Sequence, residues 1–331
     1  MSQIKKVTVS APGKLMLLGE HAVVYNHPCL VTAVDQRMRA TVEVNDKPIL
    51  EINAPDVQIS NYKKPMDQIG QGDIPKGAKF VEVAVSNILS RFRNKFGMTE
   101  KNGLKITTTS EFSSQFGFGS SSASTVCTIK AISELLGLNL SQEEIFDLSY
   151  KTVLDIQGKG SGFDVAAAVY GGILYYVTGG KVIEPLKIDS LPLIVGYSGV
   201  KADTVTLINK VKESFAKRQD RLNEIYNNIE DLVNSARAAL IKKDWKKFGS
   251  LMNNNQELLG ELGVSIEKLD RMVKGALEAG AYGAKLSGAG GGDCMIAISP
   301  NNKKQKVKKS IAKAGGEVIN VATNAEGVRL E

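Results

Sequence analysis

Residues 287–293, Ser-Gly-Ala-Gly-Gly-Gly-Asp, place four glycines within five positions, 288 and 290–292, between the runs Gly283-Ala-Lys-Leu286 and Cys294-Met-Ile-Ala-Ile-Ser299. A flexible linker is not framed this tightly. The second run is short and apolar enough for a buried strand, so the glycines between the runs mark a backbone that closely approaches another segment or a ligand, with N–H groups turned outward. A strained turn without a ligand is the other reading, and the stretch by itself leaves both open.

A second stretch has the same character. In Ser113-Ser-Gln-Phe-Gly-Phe-Gly-Ser-Ser-Ser-Ala123, Gly117 and Gly119 precede three hydroxyls and a long helix-like apolar run. Glycines admit positive φ and close anion approach, and a helix start offers unpaired N–H groups and the positive end of its dipole. Ser120, Ser121 and Ser122 add hydroxyls for phosphate oxygens or Mg2+. A glycine- and serine-rich loop can also simply turn the chain or cap a helix.

Two further segments carry charge in apolar surroundings. In Val7-Thr-Val-Ser-Ala-Pro-Gly-Lys-Leu-Met-Leu-Leu-Gly-Glu-His-Ala-Val-Val-Tyr25, Pro12-Gly13 interrupts a β-like run and Lys14, Glu20 and His21 follow. A buried Lys14 needs a carboxylate or a phosphate-bearing cleft opposite it, whereas a solvated Lys14 at a strand end needs neither. His21 is one of two histidines, His27 being the other, and a single histidine is more often a satisfied structural donor than a catalytic group. In Asp155-Ile-Gln-Gly-Lys-Gly-Ser-Gly-Phe-Asp164, the terminal aspartate stands between a glycine-broken loop and the apolar stretch Val165-Ala-Ala-Ala-Val-Tyr-Gly-Gly172. There it can cap a helix. If it faces a substrate hydroxyl with Lys14 nearby, it can orient that hydroxyl and accept its proton.

Taken in this order, the four segments resemble the GHMP kinases, the small-molecule kinase superfamily that includes galactokinase, homoserine kinase, mevalonate kinase and phosphomevalonate kinase. The resemblance spans most of the chain. Its three motifs correspond to Ala11-Pro-Gly-Lys-Leu-Met-Leu-Leu-Gly-Glu-His21, Gly117-Phe-Gly-Ser-Ser-Ser-Ala123 and Lys285-Leu-Ser-Gly-Ala-Gly-Gly-Gly-Asp293. The resemblance implies an α+β, two-lobed fold, with an N-terminal lobe over 1–187 like domain 2 of ribosomal protein S5 and a ferredoxin-like C-terminal lobe over 188–331. It also implies ATP and Mg2+ as cofactors. Asp164 and Lys14 are then catalytic, Gly117, Gly119, Ser120, Ser121, Ser122, Gly290 and Gly291 hold the nucleotide, and Ser121 is a metal ligand.

Within the superfamily, Gly19-Glu-His-Ala-Val-Val-Tyr25 and Ser198-Gly-Val-Lys-Ala-Asp-Thr204 look like mevalonate kinase, so His21, Glu20 and Thr204 are expected to hold the acceptor, near its carboxylate. Gln157 to Gly172 and the Gly-Gly-Asp-Cys ending of the third motif look more like phosphomevalonate kinase. The implied reaction is ATP-dependent phosphorylation of mevalonate to 5-phosphomevalonate. Phosphomevalonate kinase is the alternative, followed by a non-catalytic ligand-binding homologue. Two departures from the family pattern stand out. Ser113-Ser114-Gln115 replaces a common Pro-Pro-Gly, and Val153 occupies the position, eleven residues before Asp164, where the family has a magnesium-binding glutamate. Asp155, two residues further on, projects elsewhere if the segment is helical, because that offset rotates a side chain by roughly 200°.

Composition fits a soluble enzyme of two cores: 331 residues, 43% of them hydrophobic. No run of 18 apolar residues and no signal-peptide core are found, so the expectations are a cytoplasmic location and no membrane partner. Cys29, Cys127 and Cys294 are odd in number and widely separated, as reduced core thiols are. The net charge of +7 comes largely from clusters such as Lys242–Lys247 and Lys303–Lys309, which solvate helix faces. No basic module with interleaved aromatics argues for nucleic acid. A homodimer is compatible with the resemblance, although no residue pattern identifies one.

Periodicity predicts strands over 4–9, 38–44, 48–53 and 104–109, a helix over 78–95, and a helix running from the serine triplet to about 136. It predicts another opened by the Ser141–Glu144 capping box, and a hairpin over 171–185. Residues 53–77, rich in proline and glycine, are expected to form a long loop or lid near the nucleotide. Beyond 191–197 the pattern is mostly helical, closed by strand 293–299, helix 302–314 and strand 317–322.

Overall fold

The computed structural model describes residues 5–92 and 102–331. Strands β1 (Lys6–Leu18), β2 (Pro28–Asn45), β3 (Ile49–Ala54), β4 (Ile59–Pro65) and β5 (Gly103–Ser110) lead into one sheet, whose order is β12-β1-β2-β5-β3-β4 with β12 at Arg329–Leu330. Strands β6 (Ile173–Val177) and β7 (Val182–Leu186) extend it from the first half of β2 as the predicted hairpin. A second, antiparallel sheet runs β11-β8-β10-β9, formed by Leu193–Tyr197 (β8), Gly283–Ser287 (β9), Cys294–Ile298 (β10) and Glu317–Ile319 (β11).

Three differences from the sequence-based expectation have local causes. Strand β1 continues through Pro12-Gly13 to Leu18, because the register shifts between Pro12 and Gly13, and the bulge accommodates the missing proline N–H. Residues 53–77 are not one long loop: β4 pairs antiparallel with β3, burying Ile52 against the core, and only the end of the segment, at Lys76, reaches the cleft described below. The C-terminal segment returns to the first sheet, where Arg37, buried, donates to Ser10 Oγ at 2.7 Å and to the carbonyls of Glu326 and Gly327 at 2.8 and 2.7 Å. No hydrophobic pattern announces such a return.

Helices α1 (Lys79–Arg91), α2 (Ser120–Leu135), α3 (Gln142–Gln157) and α4 (Phe163–Tyr170) cover the first sheet. The last residues of the helix predicted for 78–95, 93 to 95, lie outside the described residues. Helix α2 is buried nearly all round, and its small residues make that possible. The hydroxyls of Thr125 and Thr128 donate back to the carbonyls of Ser121 and Ser124 at 2.9 and 2.8 Å, so no polar atom of theirs is left unpaired inside. Helix α3 opens on the anticipated capping box, Glu144 N donating to Ser141 Oγ at 3.2 Å and Ser141 N to Glu144 Oε2 at 3.0 Å. Helices α5 (Thr204–Ser214), α6 (Gln219–Ile241), α7 (Trp245–Glu261), α8 (Glu267–Glu278) and α9 (Lys304–Lys313) complete the second half.

Candidate active site

The glycine-rich loops meet at one cleft of ≈ 630 Å³ between the two sheets. Gly117 and Gly119 both have positive φ, 72° and 79°, and Gly119 is the N-cap of α2 without any side-chain cap. The first turn of a buried helix therefore opens its N–H groups onto the cleft. The bulge at Gly13 brings Lys14 under this loop: its main-chain N donates to Phe118 O at 3.0 Å, and Nζ donates to Gly117 O at 2.7 Å. Lys14 is almost fully buried, with the ring of Phe163 5.1 Å from its ammonium.

Asp164 lies in the first turn of α4, beyond Gly162, whose φ of 88° makes it the N-cap. One carboxylate oxygen accepts from Val165 N at 3.0 Å and the other from Ser122 Oγ at 2.7 Å. The helix has no side-chain cap, so of the two sequence-based readings Asp164 keeps the cleft-facing one, with one oxygen also satisfying a first-turn N–H. A Cβ placed on Gly119 would lie 3.2 Å from Lys14 Cε and 3.6 Å from Asp164 Cβ. The ammonium and the carboxylate, 150 positions apart in the chain, therefore flank the same glycine. Tyr150 and Tyr176 brace the approach to Asp164 by donating to the carbonyls of Gly160 and Ser161 at 2.8 and 2.5 Å.

His21 and Thr204 both line this cleft, Thr204 as the exposed first residue of α5. His21 is 5% exposed, and its Nε2 faces Ala289 O at 2.8 Å, a contact that requires the proton on Nε2. Burial lowers the His21 pKa, against the raising effects of Ala289 O and Glu20. A neutral His21 consequently offers Nδ1 as an acceptor, which suits a hydroxyl better than the carboxylate expected from the sequence.

Glu20 also borders the cleft, but its carboxylate is committed elsewhere. It forms an ion pair with Lys285 in which both side chains are fully buried, and it accepts from Asn255 Nδ2 at 3.1 Å. Burial drives the Lys285 pKa down and Glu20 opposes it. The expectation that Glu20 touches the acceptor is therefore replaced by a supporting role beneath His21. Lys285 was missed as a functional residue, although a lysine inside the apolar run Ala284-Lys-Leu286 is a recognisable signal of a buried pair.

Ser120, Ser121 and Ser122 all line the cleft; Ser122 is largely buried and donates its hydroxyl to Asp164. Gly290 and Gly291 depart from expectation. Neither reaches the cleft wall: a Cβ on Gly290 would lie 2.2 Å from Val264 O, one on Gly291 would lie 2.8 Å from Leu207, and Gly291 N donates to Val264 O at 2.7 Å. Their conformational freedom serves close packing of two protein segments, and Gly288 and Ala289 take their place at the cleft.

Val153 is 3% exposed and borders the cleft, whereas Asp155 points away and pairs with Lys151 at 2.5 Å and Asn87 at 2.9 Å. Among the described residues no group of three or more His, Cys, Asp or Glu side chains is arranged to hold a metal ion. The Ser121 hydroxyl and the Asp164 carboxylate at the same cleft nevertheless suit Mg2+, which binds through one or two side chains, phosphate oxygens and retained waters.

Comparison with known proteins finds relatives of both halves of the chain. Residues 82–172 match the family described as GHMP kinases N terminal domain and residues 236–317 match GHMP kinases C terminal. The chain is 36% identical over 337 residues to the mevalonate kinase of Thermococcus sibiricus, covering 98% of both proteins. Among solved structures, the Lin0012 protein from Listeria innocua superposes with a TM-score of 0.86 at 26% identity, covering 98% of this chain and 99% of that one. The L. major mevalonate kinase in complex with R-mevalonate superposes with a TM-score of 0.77 at 26% identity, covering 96% and 95%.

Proposed function

The chain belongs to the GHMP kinase family, and from that premise we propose that it transfers the terminal phosphoryl group of ATP to the hydroxyl of mevalonate, giving 5-phosphomevalonate and ADP. Membership of this kinase family makes ATP the donor. The observation that carries the reading is the convergence of Lys14 and Asp164 on Gly119, at the open start of α2. Full-length similarity to mevalonate kinases selects the acceptor.

In this reading the triphosphate lies over residues 117–121, its charge met by the first-turn amides of α2 and by Lys14. Ser121 would hold Mg2+ at this turn, and the ion would supply neutralisation of phosphate charge. Asp164 receives the acceptor hydroxyl and takes its proton. The hydroxyl oxygen bonds to the γ-phosphorus as the bond to the β,γ-bridging oxygen breaks, and that oxygen leaves on ADP. Ser122 holds the Asp164 carboxylate in place, and His21 Nδ1 and Thr204 orient the acceptor. Most of the acceleration comes from positioning and charge stabilisation. We place the lobe boundary at 187/188, in the connection between β7 and β8, with the C-terminal end of the chain returning to the first lobe's sheet through β12. No helix of the described residues is long and apolar enough to cross a membrane. Together with three buried free cysteines and the need for ATP, this supports a cytoplasmic location.

Phosphomevalonate is the second reading, favoured by Lys76, Lys159 and Lys201, which also line the cleft and could meet a second phosphate. ADP release measured with ATP–Mg2+ and mevalonate, phosphomevalonate, homoserine or galactose supplied separately tests both. Turnover of mevalonate alone is expected; turnover confined to another acceptor overturns the assignment.

A further inference from the structure

Asp293 ends the third glycine-rich stretch at a φ of +55°, a conformation glycine adopts freely and aspartate tolerates at a cost. Its carboxyl is partly buried at the cleft, and burial raises its pKa against the lowering effects of Ala202 N, Lys14 and Lys201. A costly side chain in a glycine position, facing the region where a triphosphate binds, needs a compensating interaction. The side chain finds one in the bond from Ala202 N, and two main-chain bonds hold the same segment beside it. Asp293 N donates to Val200 O at 2.7 Å, Ser198 N donates to Asp293 O at 2.9 Å, and Ala202 N donates to Asp293 Oδ1 at 2.9 Å. Residues 198–203 have no helix or strand of their own, Val200 is exposed, and the segment leads straight into Thr204.

The opposite side of Asp293 rests on the phosphate-side loop. A Cβ on Gly117 would lie 2.4 Å from Asp293 Oδ2, so this oxygen packs directly on the Gly117 backbone, whose carbonyl holds Lys14. The adjacent Cys294 Sγ donates to Phe116 O at 3.2 Å. One residue thus touches the loop assigned to the nucleotide and the segment assigned to the acceptor.

We propose that Asp293 is a positioning residue that ties the acceptor-side segment 198–204 to the glycine loop 115–119, so that nucleotide binding orders the acceptor side of the cleft. The proposal rests on the assignment of the two sides given above. Asp293→Asn keeps an oxygen toward Ala202 N and tolerates the same φ, whereas Asp293→Gly keeps the main-chain bonds and removes only the carboxylate.

Both variants of the full chain are assayed with ATP–Mg2+ and the acceptor that the wild type turns over. The glycine variant is expected to raise the acceptor KM about tenfold, the upper end for one ordinary hydrogen bond, with the ATP KM changed less than about threefold; the asparagine variant, which keeps an acceptor oxygen toward Ala202 N, is expected to restore the acceptor KM. Amide hydrogen exchange across 198–204, measured with and without AMPPNP, is expected to slow on nucleotide binding in the wild type and Asp293→Asn and to stay unchanged in Asp293→Gly. A glycine variant that keeps both the acceptor KM and the AMPPNP-dependent protection overturns the proposal. An asparagine variant as impaired as the glycine one does so too, because it assigns the effect to charge. A wild type without turnover on any acceptor refutes the proposed function, and the exchange measurement still decides the role of Asp293.

Discussion

Ser122 donates its hydroxyl to Asp164 Oδ2 at 2.7 Å, joining the first turns of α2 and α4. The bond places a carboxylate beside the helix start that opens onto the cleft. It also restrains one oxygen of the carboxylate that, with Lys14, flanks Gly119.

Replacing Asp164 with asparagine removes the proton acceptor while keeping the shape. Turnover is expected to fall by about 10²–10⁴, the range of a positioned general base, with nucleotide affinity little changed. Ser122→Ala leaves the carboxylate in place but unanchored, and a loss of roughly tenfold in kcat is expected. Steady-state kinetics with separate ATP titrations checks both, and near-normal turnover by Asp164→Asn would falsify the assignment.

Lys14 donates to Gly117 O and contributes its charge to the same loop. Lys14→Met keeps most of the buried stem and removes the ammonium, so kcat is expected to fall by about 10²–10³, the scale of one preorganised charge donor. A variant whose only defect is a raised ATP KM shows instead that Lys14 binds the ground state.

The buried Lys285–Glu20 pair is a matter of stability. Lys285→Met leaves an uncompensated carboxylate inside, and urea denaturation is expected to register a loss of about 3–5 kcal/mol. The double change Lys285→Met, Glu20→Gln is expected to recover a large part of it. Equal losses in the single and double variants argue that packing, not charge, dominates the site.

His21 predicts a pH dependence. Its pKa in the folded protein is lowered from the ordinary 6.5, so below that value the unfolded chain binds the proton more readily than the folded one. The stabilisation is therefore present above pH 6.5 and is lost as acidification proceeds through the folded pKa, by at most about 1.4 kcal/mol per pH unit from this group. His21→Asn, which removes the titrating ring, is expected to flatten that slope on acidification below about pH 6.5. An unchanged slope assigns the acid sensitivity to other groups.

Val153 borders the same cleft as Asp164, with a buried apolar side chain at the position where the resemblance implies a glutamate. Val153→Glu is expected to lower the Mg2+ concentration for half-maximal activity several-fold, since a second carboxylate adds a ligand. No change in the Mg2+ titration places the metal elsewhere in the cleft.

Much of this was legible locally. Positive φ at Gly117 and Gly119, the capping box at Ser141 and the apolar run of β10 each depend on residues a few positions apart, so sequence alone specified the loops, most helices and the residues Lys14, Ser121 and Asp164 as candidates for phosphate chemistry. Orientation was decided by packing. Glu20 turned from the acceptor to Lys285, 265 positions away; Gly290 and Gly291 turned to Val264 and Leu207; and Asp293 became a bridge only where the Gly117 loop lies against it. A local pattern limits the backbone conformations a segment can adopt. Which of its side chains meets the cleft, and which a buried partner, depends on burial energies set between segments that the chain brings together only on folding.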